Sequence, residues 1–279
     1  MIISSIGHGY LASFLFKELC AFGALGLGVS SKATFLNKNL DNFKIFNRCE
    51  VKNAISYSTH LLVTVPSNKK GCPVFNNYLN LIAKSNIKSI TYISTTGVYG
   101  NHKGEIVNED SLLKARYASD RQRILAEDQW SNFSKNNNNV LNIVRVAGIY
   151  GPGRVNGFLK NSKKKIVKKN HFFSRIHIFD IARLISKILL ESNSNEIWNL
   201  SDNLSSTRED LLLEIVKLKK VKKYETINFE EYKVNLSKKA RKFWYNNKRV
   251  SNKKVKQKLR YCFLFSNYKN GLKSLKYYL

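Results

Sequence analysis

The sequence contains few acidic residues, few prolines and no clustered cysteines. Asp and Glu make up 19 of the 279 residues, against 48 Lys and Arg, which gives a formal net charge of +29. With only 3 prolines and 43% hydrophobic residues, the composition excludes a collagen-like or intrinsically disordered chain. The length is sufficient to bury a hydrophobic core, and it predicts one large domain or two modest ones.

The four cysteines are too dispersed to form a metal site. No C-x-x-C pair occurs, and no histidine stands at ligand spacing from Cys20, Cys49, Cys72 or Cys262. Dispersed thiols in a chain of this length are typical of a reducing compartment. We therefore expect no bound metal and a cytoplasmic location.

No uninterrupted apolar run is long enough to cross a membrane. Residues 11–29 come closest, but Lys17, Glu18 and three glycines interrupt this stretch. A signal peptide would have a cationic segment ahead of the apolar run, and here there is none. We expect a soluble protein without a membrane partner.

The excess of positive charge allows two interpretations. A net charge of +29 suggests a nucleic-acid or other anionic partner. Lys is nevertheless spread through the chain together with abundant Asn and Ile, including the run of asparagines at 136–139, which indicates a compositional bias. We favour the compositional bias over a dedicated polyanion site.

Strand-like and helix-like segments alternate along the first 150 residues. Short apolar strands are predicted at residues 2–6, 25–30, 60–65, 89–94 and 140–146, and helices at 10–22, 76–85 and 115–133. The alternation predicts an α/β fold in which a doubly wound parallel sheet forms a Rossmann domain over residues 1–150. A predicted helix at 178–190 and a predicted strand at 196–200 return residues 177–200 to this domain. Residues 151–176 and 201–279 are expected to form a small C-terminal substrate lobe.

A glycine-rich turn follows the first predicted strand. Gly7, His8, Gly9, Tyr10, Leu11 and Ala12 form a G-x-G-x-x-A pattern at the start of a predicted helix. In this pattern the first glycine allows a tight turn, the second lets the backbone approach a pyrophosphate, and the small third residue lets the helix lie close to the strand. The amide groups at the helix N-terminus attract phosphate. The turn therefore predicts a dinucleotide-binding site.

The residues after the second predicted strand favour NADP(H) over NAD(H). An NAD site usually has Asp or Glu there for the ribose 2′-hydroxyl, whereas this sequence has Ser30, Ser31 and Lys32. Two hydroxyls and an ammonium group suit a 2′-phosphate better. Ligands of such sheets bind beyond the carboxyl ends of the strands, so Val65, Pro66 and Ser94 are further candidates for cofactor contact.

Several segments together carry a resemblance to a known family. Residues 93–100 read I-S-T-T-G-V-Y-G, residues 145–153 read R-V-A-G-I-Y-G-P-G, and residues 173–180 read F-S-R-I-H-I-F-D. W-N-L-S-D at 198–202 and K-R-V-S-N at 248–252 follow in the expected order. With the glycine turn, these segments resemble the extended and atypical short-chain dehydrogenases/reductases, that is, the NAD-dependent epimerase/dehydratase (nucleoside-diphosphate-sugar epimerase-like) family.

The resemblance implies a catalytic Ser/Thr, Tyr and Lys, and the sequence departs from the last two. Thr95 falls on the Ser/Thr position, but no Tyr-x-x-x-Lys follows at the usual distance. One register pairs Tyr117 with Arg121, and another pairs Ser119 with Arg123. The two registers differ by two residues, or about 200° around a helix, so only one pair can face the cofactor. Arginine can lower the pKa of a neighbouring tyrosine, but it cannot relay a proton as lysine can.

We therefore expect an NAD(P)-dependent oxidoreductase or epimerase-like enzyme that acts on a nucleotide-sugar-like or other hydroxyl or carbonyl substrate. Arg154, Arg175 and Arg249 lie in or beside the family-like segments and could hold an anionic small-molecule substrate. The altered pair leaves a non-catalytic NAD(P)-binding or redox-sensing protein as an alternative. A third hypothesis, nucleic-acid binding through the basic C-terminal lobe, ranks last because no base-stacking or groove-reading motif occurs. A homodimer is compatible with the sequence.

Overall fold

The computed structural model describes residues 1–30, 41–154, 164–220 and 224–275. Thirteen strands lie in this part of the chain. They are β1 (Ile2–Ile6), β2 (Leu25–Val29), β3 (Phe43–Phe46), β4 (His60–Val63), β5 (Ser89–Thr95), β6 (Ile106–Val107), β7 (Val140–Val146), β8 (Gly148–Tyr150), β9 (Lys164–Val167), β10 (Arg175–His177), β11 (Glu196–Leu200), β12 (Glu225–Asn228) and β13 (Arg249–Val250).

The same residues contain ten α-helices. They are α1 (Tyr10–Ala21), α2 (Val51–Ser56), α3 (Pro73–Ala83), α4 (Ala118–Asn137), α5 (Ile178–Glu191), α6 (Arg208–Lys219), α7 (Phe229–Tyr232), α8 (Lys238–Tyr245), α9 (Lys253–Lys258) and α10 (Tyr268–Ser274). Among the described helices, none combines the length and the apolar character that a membrane-spanning helix needs.

Seven strands form one sheet in the order β11-β7-β5-β4-β1-β2-β3. The pairs β1–β2, β2–β3, β1–β4 and β4–β5 are parallel, so the chain crosses over between neighbouring strands through helices. The order reverses direction between β1 and β4, which makes the sheet doubly wound. The Rossmann fold predicted from the sequence is therefore confirmed.

The chain divides into two compact units, and the first is built around the seven-stranded sheet. It comprises Met1–Thr95, Ala118–Arg145 and Ile181–Trp198. Its core contains buried strand residues such as Leu61 and Ile90, together with the helix residues Ala54, Ile82 and Trp130. Most positions of the central strands β1, β4, β5 and β7 are buried because helices cover the sheet, and this explains why apolar residues predominate in them.

The second unit comprises Thr96–Tyr117, Val146–Asp180 and Asn199–Leu279. Three parallel two-stranded sheets lie in it, namely β8–β10, β9–β12 and β6–β13. The pairing of β6 with β13 joins residues 96–117 to the C-terminal segment, whereas the sequence alone groups them with residues 1–150. A small hydrophobic cluster around Tyr150, Leu211 and Tyr268 packs α6 against α10.

The observed elements differ from the predicted ones around β3 and in the second unit. β1, β7 and β11 have the predicted bounds, and α4 begins at Ala118 rather than at residue 115. β3, α2 and the short strands of the second unit were not predicted. β3 has only one buried residue, and the second-unit strands are two to four residues long, so no local pattern marks them.

Candidate functional site

The chain leaves β1 through a turn whose first residue has to be glycine. Gly7 has a φ of +95°, in the region that favours glycine. A Cβ atom at this position would lie 2.8 Å from Thr64 Oγ1 and 2.9 Å from the backbone nitrogen of Val65. The Gly7 amide donates a hydrogen bond of 3.1 Å to the carbonyl of Val29. The turn is thus held between the carboxyl ends of β2 and β4.

The second glycine of the turn leaves open space at the start of α1. Gly9 is the N-cap of this helix, and a Cβ atom on it would meet nothing nearer than the Gly7 carbonyl oxygen at 3.7 Å. No side chain caps the helix, and its first turn contains no acidic residue. The amides of a helix N-terminus carry partial positive charge. The diphosphate of a dinucleotide therefore fits this place both sterically and electrostatically.

The histidine of the turn points into the protein. The His8 side chain is 1% exposed, and its ring lies 5.3 Å from the ring of Phe16 and 4.9 Å from that of Phe43. Burial lowers the pKa of His8 to about 4, so the imidazole is neutral near pH 7. Neither ring nitrogen has a hydrogen-bond partner among the described residues. His8 can therefore contribute to a ligand at the turn only through its backbone.

The next three residues begin α1. Tyr10 is half-buried and its ring lies 5.1 Å from the ring of Phe14. Leu11 and Ala12 are buried on the side of α1 that faces the core, and the side chain of Ala12 is 1% exposed. A small side chain at this position lets α1 pack closely on the sheet.

A cavity of about 250 Å³ opens beside the turn, at the carboxyl ends of β1, β2 and β4. Strand-end residues and the start of α3 line it, including Gly7, Val29, Ser30, Thr64, Val65, Pro66, Pro73, Val74 and Tyr78. The cavity is large enough for part of a nucleotide, and it lies at the switch point of the strand order, where ligands of such sheets bind.

Arg48 also lines this cavity, and sequence reasoning missed it. It begins a short 3₁₀ helix, Arg48–Glu50, which follows β3. Ser30 also lines the cavity, and its amide donates to the carbonyl of Phe46 at 3.4 Å. Ser31 and Lys32, the other predicted contacts of a ribose phosphate, lie outside the described residues. Arg48 is the cation among the described residues that line this cavity.

Ser94 belongs to a buried polar network at the end of β5. Its hydroxyl donates to the carboxylate of Glu127 on α4. Glu127 also forms an ion pair of 2.7 Å with Arg145 on β7, and the two side chains are each 4% exposed. This network joins β5, α4 and β7, so the Ser94 hydroxyl has a structural partner in the first unit.

Arg123 reaches from α4 to the carboxyl ends of the central strands. Its Nη1 atom donates to the carbonyl of Ile93 and to the hydroxyl of Tyr92, both at 2.9 Å, and lies 3.5 Å from the carbonyl oxygen of Val65. Burial raises the pKa of Tyr92 to about 12, so this phenol stays protonated at neutral pH. Arg121, two residues earlier, is exposed. The face of α4 that carries Arg123 and Glu127 is therefore the one directed at the sheet.

The remaining predicted catalytic residues fall in both units. Thr95 is the last residue of β5 and is half-buried, and Ser119 is exposed in the first turn of α4. Tyr117 belongs to the second unit, where the Lys242 ammonium lies 5.8 Å from its ring centroid. No group of His, Cys, Asp and Glu suited to a metal ion occurs within the described ranges.

Two of the arginines expected to hold a substrate are engaged inside the second unit. Arg175 is 5% exposed, and it donates to Ser206 Oγ at 2.7 Å. Burial lowers the pKa of its guanidinium to about 10. Arg249 donates to the carbonyl of Gly104 at 2.7 Å. Arg154 follows the turn after β8 and is exposed.

No protein-family model matches the sequence, and no curated protein does. Solved structures do match. A functionally unknown conserved protein from Silicibacter pomeroyi is 29% identical, with a TM-score of 0.89 over 99% of this chain and 98% of that one. A mutant of UDP-glucuronic acid 4-epimerase from Bacillus cereus, solved with UDP-4-deoxy-4-fluoro-glucuronic acid and NAD, is 16% identical, with a TM-score of 0.78 over 100% of this chain and 98% of that one. The human epimerase family protein SDR39U1, solved with NADPH, is 15% identical, with a TM-score of 0.74 over 100% of both chains.

Proposed function

Because the chain has the fold of the extended short-chain dehydrogenases/reductases and NAD-dependent epimerases, we propose that it binds a nicotinamide adenine dinucleotide in its first unit. The proposal rests chiefly on the open side of Gly9 at the uncapped start of α1. The diphosphate would lie against this helix start, between the Gly7 turn and the cavity that Val65 and Pro66 line.

The cofactor is NADP(H) in preference to NAD(H). Arg48 and Ser30 line the cavity where the adenine ribose would lie, and Ser31 and Lys32 follow Ser30 in the sequence. A guanidinium forms strong charge-assisted hydrogen bonds with phosphate, and an NAD site would have a carboxylate instead. The human relative was solved with NADPH and the Bacillus cereus relative with NAD, so both cofactors occur with this fold.

The activity is NAD(P)-dependent oxidoreduction or epimerisation of a nucleotide-sugar-like or other hydroxyl or carbonyl substrate, in the cytoplasm. The nicotinamide, when bound, accepts or donates the hydride. Thr95, at the end of β5, would polarise the reacting oxygen of the substrate through its hydroxyl. Tyr117 paired with Arg121, or Ser119 paired with Arg123, would handle the proton.

The binding proposal is tested by Gly9→Val. The backbone of Gly9 is extended and the space around it is open, so a valine side chain fits, although valine is a poorer N-cap and should lower the stability of the helix by about 1 kcal/mol. The new side chain would occupy the place of the diphosphate and should weaken NADPH binding at least about tenfold. NADPH titration by calorimetry or fluorescence measures this effect, and the melting temperature serves as the folding control. Unchanged NADPH affinity, or no binding of either coenzyme by the unaltered protein, would refute the proposal.

A second candidate function is NAD(P) binding without catalysis, as in a redox sensor. The observation that favours it is the direction of Arg123, since the register that contains Arg123 places Ser119 where the family has tyrosine. A serine hydroxyl is a much weaker acid than a phenol, so proton transfer by this pair would be slow. Tight NADPH binding without hydride transfer to a panel of nucleotide sugars and carbonyl compounds would support this candidate over the enzyme.

A further inference from the structure

The second unit contains a cavity of about 540 Å³ that is separate from the proposed cofactor site. It lies between the β9–β12 pair and the helices α6, α7 and α8, and its lining includes Lys165, Arg208, Tyr232, Ala240, Phe243 and Trp244. The volume falls in the range of about 300–1,000 Å³ that is usual for small-molecule sites.

Two cations share this cavity. Lys165 is only 3% exposed, and burial together with the positive charge of Arg208 lowers the pKa of its ammonium group. Burial also lowers the pKa of Arg208. No carboxylate occurs among the described residues that line the cavity. The Lys165 ammonium lies 5.0 Å from the ring centroid of Tyr224. An anion near both cations would offset their mutual repulsion.

The Arg208 guanidinium lies beside an aromatic ring of the cavity lining. Its central carbon lies 5.6 Å from the ring centroid of Trp244, and its Nε–H is shielded from water without a hydrogen-bond partner in the described part of the chain. Lys168 provides a contrast in the same unit, because its ammonium lies 3.1 Å from the carboxylate of Glu230. Among the described residues, no carboxylate forms an ion pair with Arg208, so its charge can attract an anionic ligand in the cavity.

The rest of the cavity suits an apolar ring. Among the described lining residues other than the two cations, Tyr232 and Trp244 contribute polar side-chain atoms, and the rest are apolar: Ile166, Ile227, Leu236, Ala240 and Phe243. A sugar would bury several hydroxyls against hydrocarbon here, and an unpaired buried hydroxyl is costly. Aromatic faces instead favour a flat apolar body.

We infer that this cavity binds an anion that carries a flat apolar ring, with the phosphate or carboxylate group between Lys165 and Arg208 and the ring against Phe243 and Trp244. The inference does not depend on the proposed cofactor, because all of these residues belong to the second unit.

Calorimetric titrations with four probes test the ligand class, each carried out with and without saturating NADPH. The probes are 1-naphthyl phosphate, 1-naphthoate, 1-naphthol and inorganic phosphate. We expect one or both naphthyl anions to bind at one site per chain, and naphthol and inorganic phosphate to bind at least about tenfold more weakly. The preferred anion identifies the head group. NADPH should not displace it, whereas displacement would place the probe in the cofactor site and overturn the inference.

Three variants locate the bound probe. Arg208→Met keeps the contact with Trp244 but removes the charge, and it should weaken binding of the naphthyl anion at least about tenfold. Its melting temperature should stay the same or rise, because a buried N–H without a partner is removed. Ala240→Leu narrows the cavity and should weaken binding of the naphthyl anion without changing that of inorganic phosphate. Lys217→Met removes an exposed charge from the same helix and should change nothing.

Each outcome of these titrations either supports or contradicts the inferred site. Equal binding of naphthol and the naphthyl anions would show that the cations play no part. Equal losses in Arg208→Met and Lys217→Met would reduce the effect to net charge. If Arg208→Met fails to fold, Ala240→Leu still decides, and unchanged affinity in that variant refutes the site. Failure of NADPH to bind would affect the proposed function alone.

Discussion

At the scale of single residues, the partners of each arginine decide what it does. Arg145 is buried against Glu127, Arg175 is buried against Ser206, and Arg123 donates to the ends of two strands. These guanidinium groups are engaged by partners within their own units. Arg48 and Arg208 instead line cavities, and such positions allow a guanidinium to bind a ligand.

Arg48 gives a prediction about cofactor choice. If its guanidinium contacts the 2′-phosphate, Arg48→Gln should weaken NADPH binding about tenfold or more and leave NADH binding unchanged, because only NADPH carries that phosphate. The side chain is exposed, so folding should be unaffected. Paired titrations with the two coenzymes provide the internal control. Equal losses for both coenzymes, or tighter binding of NADH by the unaltered protein, would contradict the NADP(H) assignment.

At the scale of elements, α4 places the two predicted registers on different faces of the helix. The Tyr117–Arg121 register keeps the tyrosine of the Tyr-x-x-x-Lys pair, whereas the Ser119–Arg123 register has neither residue. The structure directs Arg123 and Glu127 at the sheet and exposes Arg121. Three or four residues separate neighbours on a helix face, so Ser119, Arg123 and Glu127 follow one face.

The two arginines of α4 should therefore respond differently to substitution. Arg123→Met removes the donor that joins the carboxyl ends of β4 and β5, and we expect it to lower the free energy of unfolding by about 2 kcal/mol. NADPH binding should weaken as well, because the proposed site lies at these strand ends. Arg121→Met is the matched control, with an expected change below about 0.5 kcal/mol. Chemical denaturation measures the change in stability and NADPH titration measures the change in binding. A larger effect of Arg121→Met than of Arg123→Met would favour the Tyr117–Arg121 register.

Elements with a local apolar pattern could be predicted from the sequence, and those that depend on pairing could not. β1, β4 and β7 are mainly apolar and most of their positions are buried, as a sheet covered on both faces requires. β3 reads F-K-I-F, and its place at the sheet edge follows from pairing with β2 rather than from its own pattern. Tertiary pairing, which a local pattern does not contain, decides such elements.

The same limit applies to the sites. The glycine turn could be predicted because one local segment contains the tight turn, the open backbone and the helix start. Arg48 gives no local signal, since it is one cation among many in a basic chain. The cavity of the second unit combines residues at positions 165, 208 and 244, which only folding brings together. A sequence motif reports chemistry that is local in the chain, and these two features are not.

At the scale of the whole molecule, the excess of positive charge and the buried histidines both lower the stability of the protein on acidification. A formal net charge of +29 destabilises a compact chain through self-repulsion, and acidification adds charge. His8, His171 and His177 are each at most 1% exposed, and burial is the main cause that lowers the pKa of each to about 4. Asp202 has the opposite effect on stability: burial raises its pKa to about 7, so the folded protein binds a proton there before the unfolded chain does.

The histidines predict a loss of stability between pH 6.5 and pH 4. In this window a histidine in the unfolded chain binds a proton that the buried one does not. The free energy of unfolding therefore has its highest value above pH 6.5 and falls as the pH decreases. A pKa of about 4 for His8 corresponds to a loss of about 2.5 kcal/mol at about pH 4.5. His8→Leu removes this proton and keeps an apolar side chain against Phe16 and Phe43. The difference in unfolding free energy between pH 7 and pH 4.5 should therefore shrink by about that amount in the variant. Urea denaturation at constant, high ionic strength measures it while screening the self-repulsion. If the variant and the unaltered protein lose equal stability on acidification, His8 is not buried in its neutral form, and the inward orientation of the glycine turn is wrong.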